Sequence, residues 1–200
     1  MPRKRTEERR RAILRAAARV LAEKGYHVAT VADIAKKLRM GHGTFYRYFK
    51  SKLDIFHAVI DEVVMEVGKA IAAEDPGAAT TVAEYRSQVE RIAGSLFQAF
   101  IANRDLAQLL FYEAPGTDRA LDAKLAEASE AFGTMTEAYL ENGVSRGFLR
   151  AGLDRRTTAL AINAMAFEGT RAVARSSEPA AEAERWKRAV TALMFDGLRA

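Results

Sequence analysis

An all-α fold is predicted for this 200-residue chain by three features: abundant alanine, only four prolines, and apolar residues recurring at helical spacing with little Val/Ile/Thr alternation. With 49% hydrophobic and 28% charged residues, the chain has the balance of a globular protein able to bury a core. The punctuation of the sequence predicts nine helices, three in a head (residues 1–52) and six in a body (residues 53–200). The chain has no cysteine, which excludes disulfides, thiolate metal sites and cysteine nucleophiles. The basic N-terminus has no apolar run behind it, and no stretch approaches the roughly 18 apolar residues of a membrane span. A cytoplasmic protein with no membrane partner is expected.

Charge divides the chain in the same place. Residues 1–52 hold 15 Lys/Arg against four acids (Glu7, Glu8, Glu23, Asp33), whereas the other 148 hold 16 against 22. A head of net +11 on a body of net −6 is the pattern of a part that meets a polyanion and a part that does not.

The basic arm, residues 2–11, leads into a first helix running to about Lys24. Ile13, Leu14, Ala17, Val20 and Leu21 form one stripe, and Gly25 supplies the left-handed stop. Tyr26 and Val28 are expected to pack in the connection. Thr30 occupies an N-cap position, and Asp33 suits the positive end of the second helix. Val31, Ile34, Ala35 and Leu38 face inward there, while Lys36 and Lys37 stay outside. Arg39-Met40-Gly41 forms the turn, with Met40 as its apolar plug.

A third helix is expected from His42 to Phe49, anchored by Phe45 and Phe49, four residues apart. Its remaining faces carry Gly43, Thr44, Arg47 and Tyr48, with Tyr46 at an edge. Such a surface is poor packing material but suits a DNA major groove: hydroxyls and phenols reach phosphates or base edges, and Arg can fork onto guanine. Thr30–Lys52 therefore reads as a DNA-binding helix-turn-helix.

The stretch T-V-A-D-I-A-K-K-L followed by G-T-F-Y-R-Y-F-K-S-K resembles the N-terminal signature of the tetracycline-repressor (TetR) family, over about residues 9–60. The resemblance implies DNA contacts at Thr30, Thr44, Tyr46, Tyr48 and Lys52, and sequence preference set by His42, Gly43 and Arg47. Two residues depart from the pattern. Arg39 stands where a turn glycine is usual, and Gly41 where Ser or Thr is usual. Either Arg39 accepts a positive φ, at about 1 kcal/mol, or Gly41 takes over the bend. Gly41 still serves as an N-cap.

The body begins with a long helix from about Leu53 to Ala73, closed by Asp75-Pro76-Gly77. Helices are then expected over about 80–102, 103–112, 118–146, from Asp154 or Thr157 to about 175, and 180–198. The resemblance implies dimerisation through the last two helices and a small-molecule pocket between the middle ones. Independently, the small residues of Ala159–Ala172 permit close helix approach, and Trp186, Val190, Leu193, Met194 and Leu198 form an apolar stripe. Together they suit a homodimer interface, although both stripes also suit a monomer core.

Candidate pocket residues are the aromatic, Ile and Met side chains Phe97, Phe100, Ile101, Phe111, Tyr112, Met135, Tyr139, Met165 and Phe167, with Asn163 and Glu168 as polar members. A small apolar effector is implied, carrying a cationic or polar group if Glu168 faces it.

The expected function is a repressor that binds a palindromic double-stranded DNA operator as a dimer and is released by that effector. A helical DNA-binding protein with no effector is the alternative. Catalysis has little support: His27, His42 and His57 all lie in or beside the head without metal-ligand spacing, so neither an enzyme nor a cofactor is expected.

Overall fold

The computed structural model describes residues 2–197, with side chains from Thr6 onward. Among these residues there are nine α-helices and no strand: α1 (Pro2–Lys24), α2 (Val31–Lys37), α3 (His42–Phe45), α4 (Lys52–Ile71), α5 (Val82–Ala102), α6 (Arg104–Gln108), α7 (Arg119–Ser145), α8 (Arg155–Arg175) and α9 (Pro179–Phe195). The basic arm expected ahead of the first helix is the first turns of α1 itself. Leu198, assigned above to an apolar stripe, lies outside the described residues.

Two elements differ from expectation. Regular helix in the third element ends at Phe45 rather than Phe49. Beyond it the Arg47 and Tyr48 amides bond three residues back, to Thr44 O (3.3 Å) and Phe45 O (2.9 Å). A glycine-flanked start followed by a run of aromatics of modest helix propensity tightens the turn in this way. The segment 103–112 also splits. After α6, Leu109–Glu113 forms a π-helical turn, with Ala114 N–H donating to Leu109 O at 2.8 Å.

The chain forms two compact units, one of residues up to Met65 with Asp105–Asp122, the other of Glu66–Arg104 with Ala123 onward; the boundaries fall inside α4 and α7 and at the start of α6. The first unit is built on the α1 stripe, with Ile13, Leu14, Ala17 and Leu21 at most 1% exposed, together with Ile34, Phe45, Ile55 and Phe56. Gly25 ends α1 at φ 79°, a conformation a side chain would strain. His57 Nε2 lies 2.7 Å from the Asp118 carboxylate, which also accepts the Ala120 and Leu121 amides at the start of α7. These three bonds, the histidine's first, hold Asp118 below the usual carboxylate range.

The second unit packs α5, α8 and α9 together. Gly169 makes this approach possible: a Cβ there would stand 3.0 Å from Phe97 and 3.1 Å from Trp186. The small-residue face of α8 thus meets its own chain at Gly169, where Phe97, Val173, Ala183 and Trp186 form a core cluster. Leu160, Ala161, Ala164 and Leu193 stay exposed on α8 and α9. The loop after α4 is closed by side chains: the Tyr139 hydroxyl reaches Ile71 O and Glu74 O (both 2.7 Å), Gln88 Nε2 donates to Asp75 O (2.7 Å), and Asn142 Nδ2 donates to Ala79 O (2.8 Å).

Candidate nucleic-acid interface and ligand cavity

Residues 42–49 sort their side chains by burial. Phe45 (0% exposed) and Phe49 (2%) are driven into the head core, their rings 5.9 Å apart, with the Arg10 guanidinium 5.1 Å from the Phe49 ring centre. His42, Gly43, Tyr46 and Arg47 are exposed, while Thr44 and Tyr48 are half-buried. Tyr46 is 51% exposed although its ring meets both Phe45 and His42 edge-on, so its phenol end is presented to solvent.

At the start of α2, Thr30 and Asp33 form a full capping box: Asp33 N–H donates to Thr30 Oγ1 (3.2 Å), and Thr30 N–H to the Asp33 carboxylate (3.0 Å). The Thr30 hydroxyl donates to the same carboxylate at 2.8 Å. A hydrogen bond from the Lys24 ammonium, followed by those from Thr30, lowers the Asp33 pKa to about 2. At the turn, Arg39 has φ 50° and Gly41 has φ −67°. Arg39 itself therefore accepts the left-handed conformation, and Gly41 serves only as the N-cap of α3. The one carries the strain the other was free to relieve.

Lys52 has a role the sequence reading did not anticipate. Its ammonium donates to Tyr26 O (2.5 Å), Ala29 O (2.8 Å) and His27 O (3.3 Å), and lies 4.5 Å from the Tyr26 ring centre. Tyr26 in turn stacks on Phe56 and donates its amide to Glu113. This ties the α1–α2 loop down through its carbonyls. Val28, expected to pack there, is 72% exposed instead, because Ala29 fills the inward position. A lone apolar residue between a glycine stop and a helix cap is weak warning of such a surface position.

The second unit contains a cavity of about 80 Å³ lined by Ile71, Tyr85, Val89, Ile92, Ala93, Leu96, Thr136, Tyr139, Ile162, Asn163, Ala166, Phe167, Val190 and Met194. Of the eleven residues expected at a pocket, Tyr139, Asn163 and Phe167 meet here. Phe97 and Ile101 join the Trp186 cluster, Phe100 is buried, Met135 is half-buried outside the lining, and Met165 lines a neighbouring groove. Glu168 is exposed and paired with Arg171, and Phe111 and Tyr112 belong to the first unit. The branched and small residues of α5 and α9 that complete the lining carried no signal beyond an ordinary helical stripe.

Thr136 and Asn163, both buried, are the polar members besides the two tyrosines; Thr136 Oγ1 donates to Asn163 Oδ1 at 2.8 Å. Burial raises the pKa of both Tyr85 and Tyr139, so both remain neutral phenols. The adjoining groove, about 600 Å³, shares Tyr85, Ile162 and Met194 with the cavity and includes Arg150. Among the described residues no three His, Asp or Glu side chains converge as a metal site, and no helix is long and apolar enough to cross a membrane.

Residues 13–59 match the profile of bacterial regulatory proteins of the tetR family. The fatty acid metabolism regulator protein of Bacillus subtilis is 27% identical over 144 residues, 72% of each chain. An HTH-type transcriptional repressor of Mycobacterium tuberculosis is 30% identical over 132 residues, 61% of this chain and 68% of the relative. Among solved structures, the transcriptional regulator FadR from Bacillus subtilis in complex with stearoyl-CoA superposes with a TM-score of 0.76 at 25% identity, covering 94% of this chain and 98% of that one.

Proposed function

The chain belongs to the tetR family of bacterial transcriptional regulators, and from that premise we propose that it is a dimeric, cytoplasmic repressor released from a palindromic operator by a fatty-acyl thioester. One observation carries the DNA reading: within the family-matched segment, Phe45 and Phe49 are buried while His42, Gly43, Tyr46 and Arg47 are exposed. In this reading residues 1–52 bind DNA. Thr30, Thr44, Tyr46 and Tyr48 meet the backbone, and His42, Gly43 and Arg47 face the bases. Lys52 serves the interface first by fixing the α1–α2 loop, with any phosphate contact secondary. Residues 53–200 hold the effector and the dimer contacts. Two heads in successive major grooves require half-sites about 34–36 Å apart, hence a palindrome. The exposed residues Leu160, Ala161, Ala164 and Leu193 on α8 and α9 supply an apolar face for a partner copy.

The effector class rests on the apolar cavity and on the Bacillus subtilis comparisons, which name a fatty acid metabolism regulator and a FadR complex with stearoyl-CoA. The cavity, at about 80 Å³, is small for an acyl chain, so parting of Tyr85, Ile162 and Met194 would be needed to join it to the groove. This size is also what an effector-independent DNA-binding protein would show, which makes the test decisive. Fluorescence anisotropy is measured on the upstream intergenic duplex and on a scrambled duplex, over a salt series, with and without stearoyl-CoA. Preference for the intergenic DNA, a steep fall of log affinity with log salt, and release by the thioester are expected. Equal affinity for both duplexes would sink the operator reading; operator preference unaffected by any acyl-CoA would leave the effector-independent alternative.

A further inference from the structure

Among the described residues lining the cavity, Asn163 carries a fully buried side-chain N–H donor with no partner. Its side chain is 9% exposed, and Thr136 occupies its amide oxygen; its Nδ2 is buried with no hydrogen-bond partner among the described residues. An unmade donor in such surroundings carries a desolvation penalty that only an acceptor can relieve. Water is a poor candidate, because an ordered water needs two to four polar partners and the surrounding lining is largely Ile, Val, Leu, Ala and Phe. The Tyr139 hydroxyl is already engaged with Ile71 O and Glu74 O.

We infer that Asn163 is the specificity-determining residue of the cavity, donating from Nδ2 to a neutral carbonyl oxygen on the ligand segment bound there. The inference rests on the effector reading above and sharpens it. Among the described residues lining the cavity none is acidic, basic or histidine, so a carboxylate would enter without a counter-charge. A thioester, ester or ketone carbonyl meets both conditions: it accepts one hydrogen bond and carries no charge. The free fatty acid meets only the first. Thr136 is the positioning residue. By holding Oδ1 it turns the NH2 group of Asn163 toward whatever completes the site.

The test uses the full-length protein and three probes. S-decanoyl-N-acetylcysteamine carries the thioester, S-decyl-N-acetylcysteamine has a methylene in place of the carbonyl, and decanoate carries the charge. Calorimetry should show the thioester binding about tenfold more tightly than the thioether, the worth of one hydrogen bond, with decanoate far weaker. In Asn163→Leu the two neutral probes should bind alike. The double variant Thr136→Val/Asn163→Leu should also melt at a higher temperature without ligand, since apolar side chains of similar size replace both partners and leave no buried donor unpaired. Thr136→Val gives the same readout through a second substitution, narrowing the ratio of thioester to thioether affinity.

Equal binding of both neutral probes to the wild type would overturn the donor assignment and leave the effector class standing. So would a preference surviving in Asn163→Leu, or decanoate binding as tightly as the thioester. Failure of all three probes to bind, with operator binding intact, would overturn the effector class and the inference together.

Discussion

The head and the body distribute polarity in opposite senses. In the head, Phe45 and Phe49 are inside, and His42, Tyr46 and Arg47 are outside with their polar ends toward solvent. Inside the cavity of the body the walls are apolar, and the polar pair Thr136–Asn163 is buried with a donor unmet. An exposed polar group costs nothing while it waits, because water satisfies it until a phosphate or base arrives. A buried one is paid for in every unliganded molecule. On the proposed reading the head keeps a broad set of contacts, whereas the body concentrates its discrimination in a single amide.

Substitutions can break this contrast. The largest effect is expected from Phe45→Ala, which empties a fully buried site in the head core and should destabilise it by about 3–5 kcal/mol in denaturant unfolding. The opposite sign expected for Thr136→Val/Asn163→Leu, which removes both buried partners, is the sharpest form of the contrast. Were both substitutions to destabilise alike, the buried amide would be structural and the comparison would lose its point.

Next come two cations of the head that look equivalent in sequence. Arg47→Ala should cost about 1–3 kcal/mol of operator affinity and relax preference at one base pair, with the unfolding midpoint unchanged. Lys52→Met should instead lower the midpoint, by about 1–3 kcal/mol for the charged hydrogen bonds lost to the α1–α2 loop. Operator affinity should fall only as the loop loosens. A Lys52→Met protein of wild-type stability with weakened, less salt-sensitive DNA binding would return Lys52 to the phosphate-contact role its sequence position implies.

Smaller still is Arg39→Gly. Relief of the positive φ should raise head stability by up to about 1 kcal/mol, partly offset by the freer unfolded chain. A drop in stability would mean that the Arg39 side chain makes compensating contacts.

The smallest effect concerns Asp33. Its folded pKa of about 2 lies below the value near 4 of an unfolded chain, so its contribution is fully present above about pH 4. That contribution is lost as pH falls toward 2. Melting curves should show a decline over this window in the wild type that shrinks in Asp33→Asn, while an identical acid profile in the variant would discard the assignment.

Local features of the head were legible because local chemistry sets them. The cap at Thr30, the stop at Gly25 and the anchors Phe45 and Phe49 each depend on residues within four positions, and helical spacing records that directly. The extended third helix was misread for the same reason: spacing alone does not distinguish a regular turn from the tighter one that the aromatics adopt. Val28 was misjudged because its neighbour Ala29 takes the inward position, and the tie of Lys52 to the Tyr26, His27 and Ala29 carbonyls joins residues more than twenty positions apart, which no local pattern encodes. The cavity was only partly legible. Tyr139, Asn163 and Phe167 stand out as polar or aromatic members, but Val89, Ile92 and Val190 look like any core stripe.

By itself, then, the order of residues determined the nine-helix architecture, the position of the helix-turn-helix and which aromatics anchor it, since propensity, capping and periodicity act between near neighbours. Tertiary structure alone decided that Arg39 rather than Gly41 takes the left-handed turn, that Lys52 spends its donors on a distant loop, and that Thr136 and Asn163, 27 positions apart, share one hydrogen bond beside the cavity. These outcomes depend on which surfaces the packed helices bring together and which polar groups that packing leaves to satisfy one another.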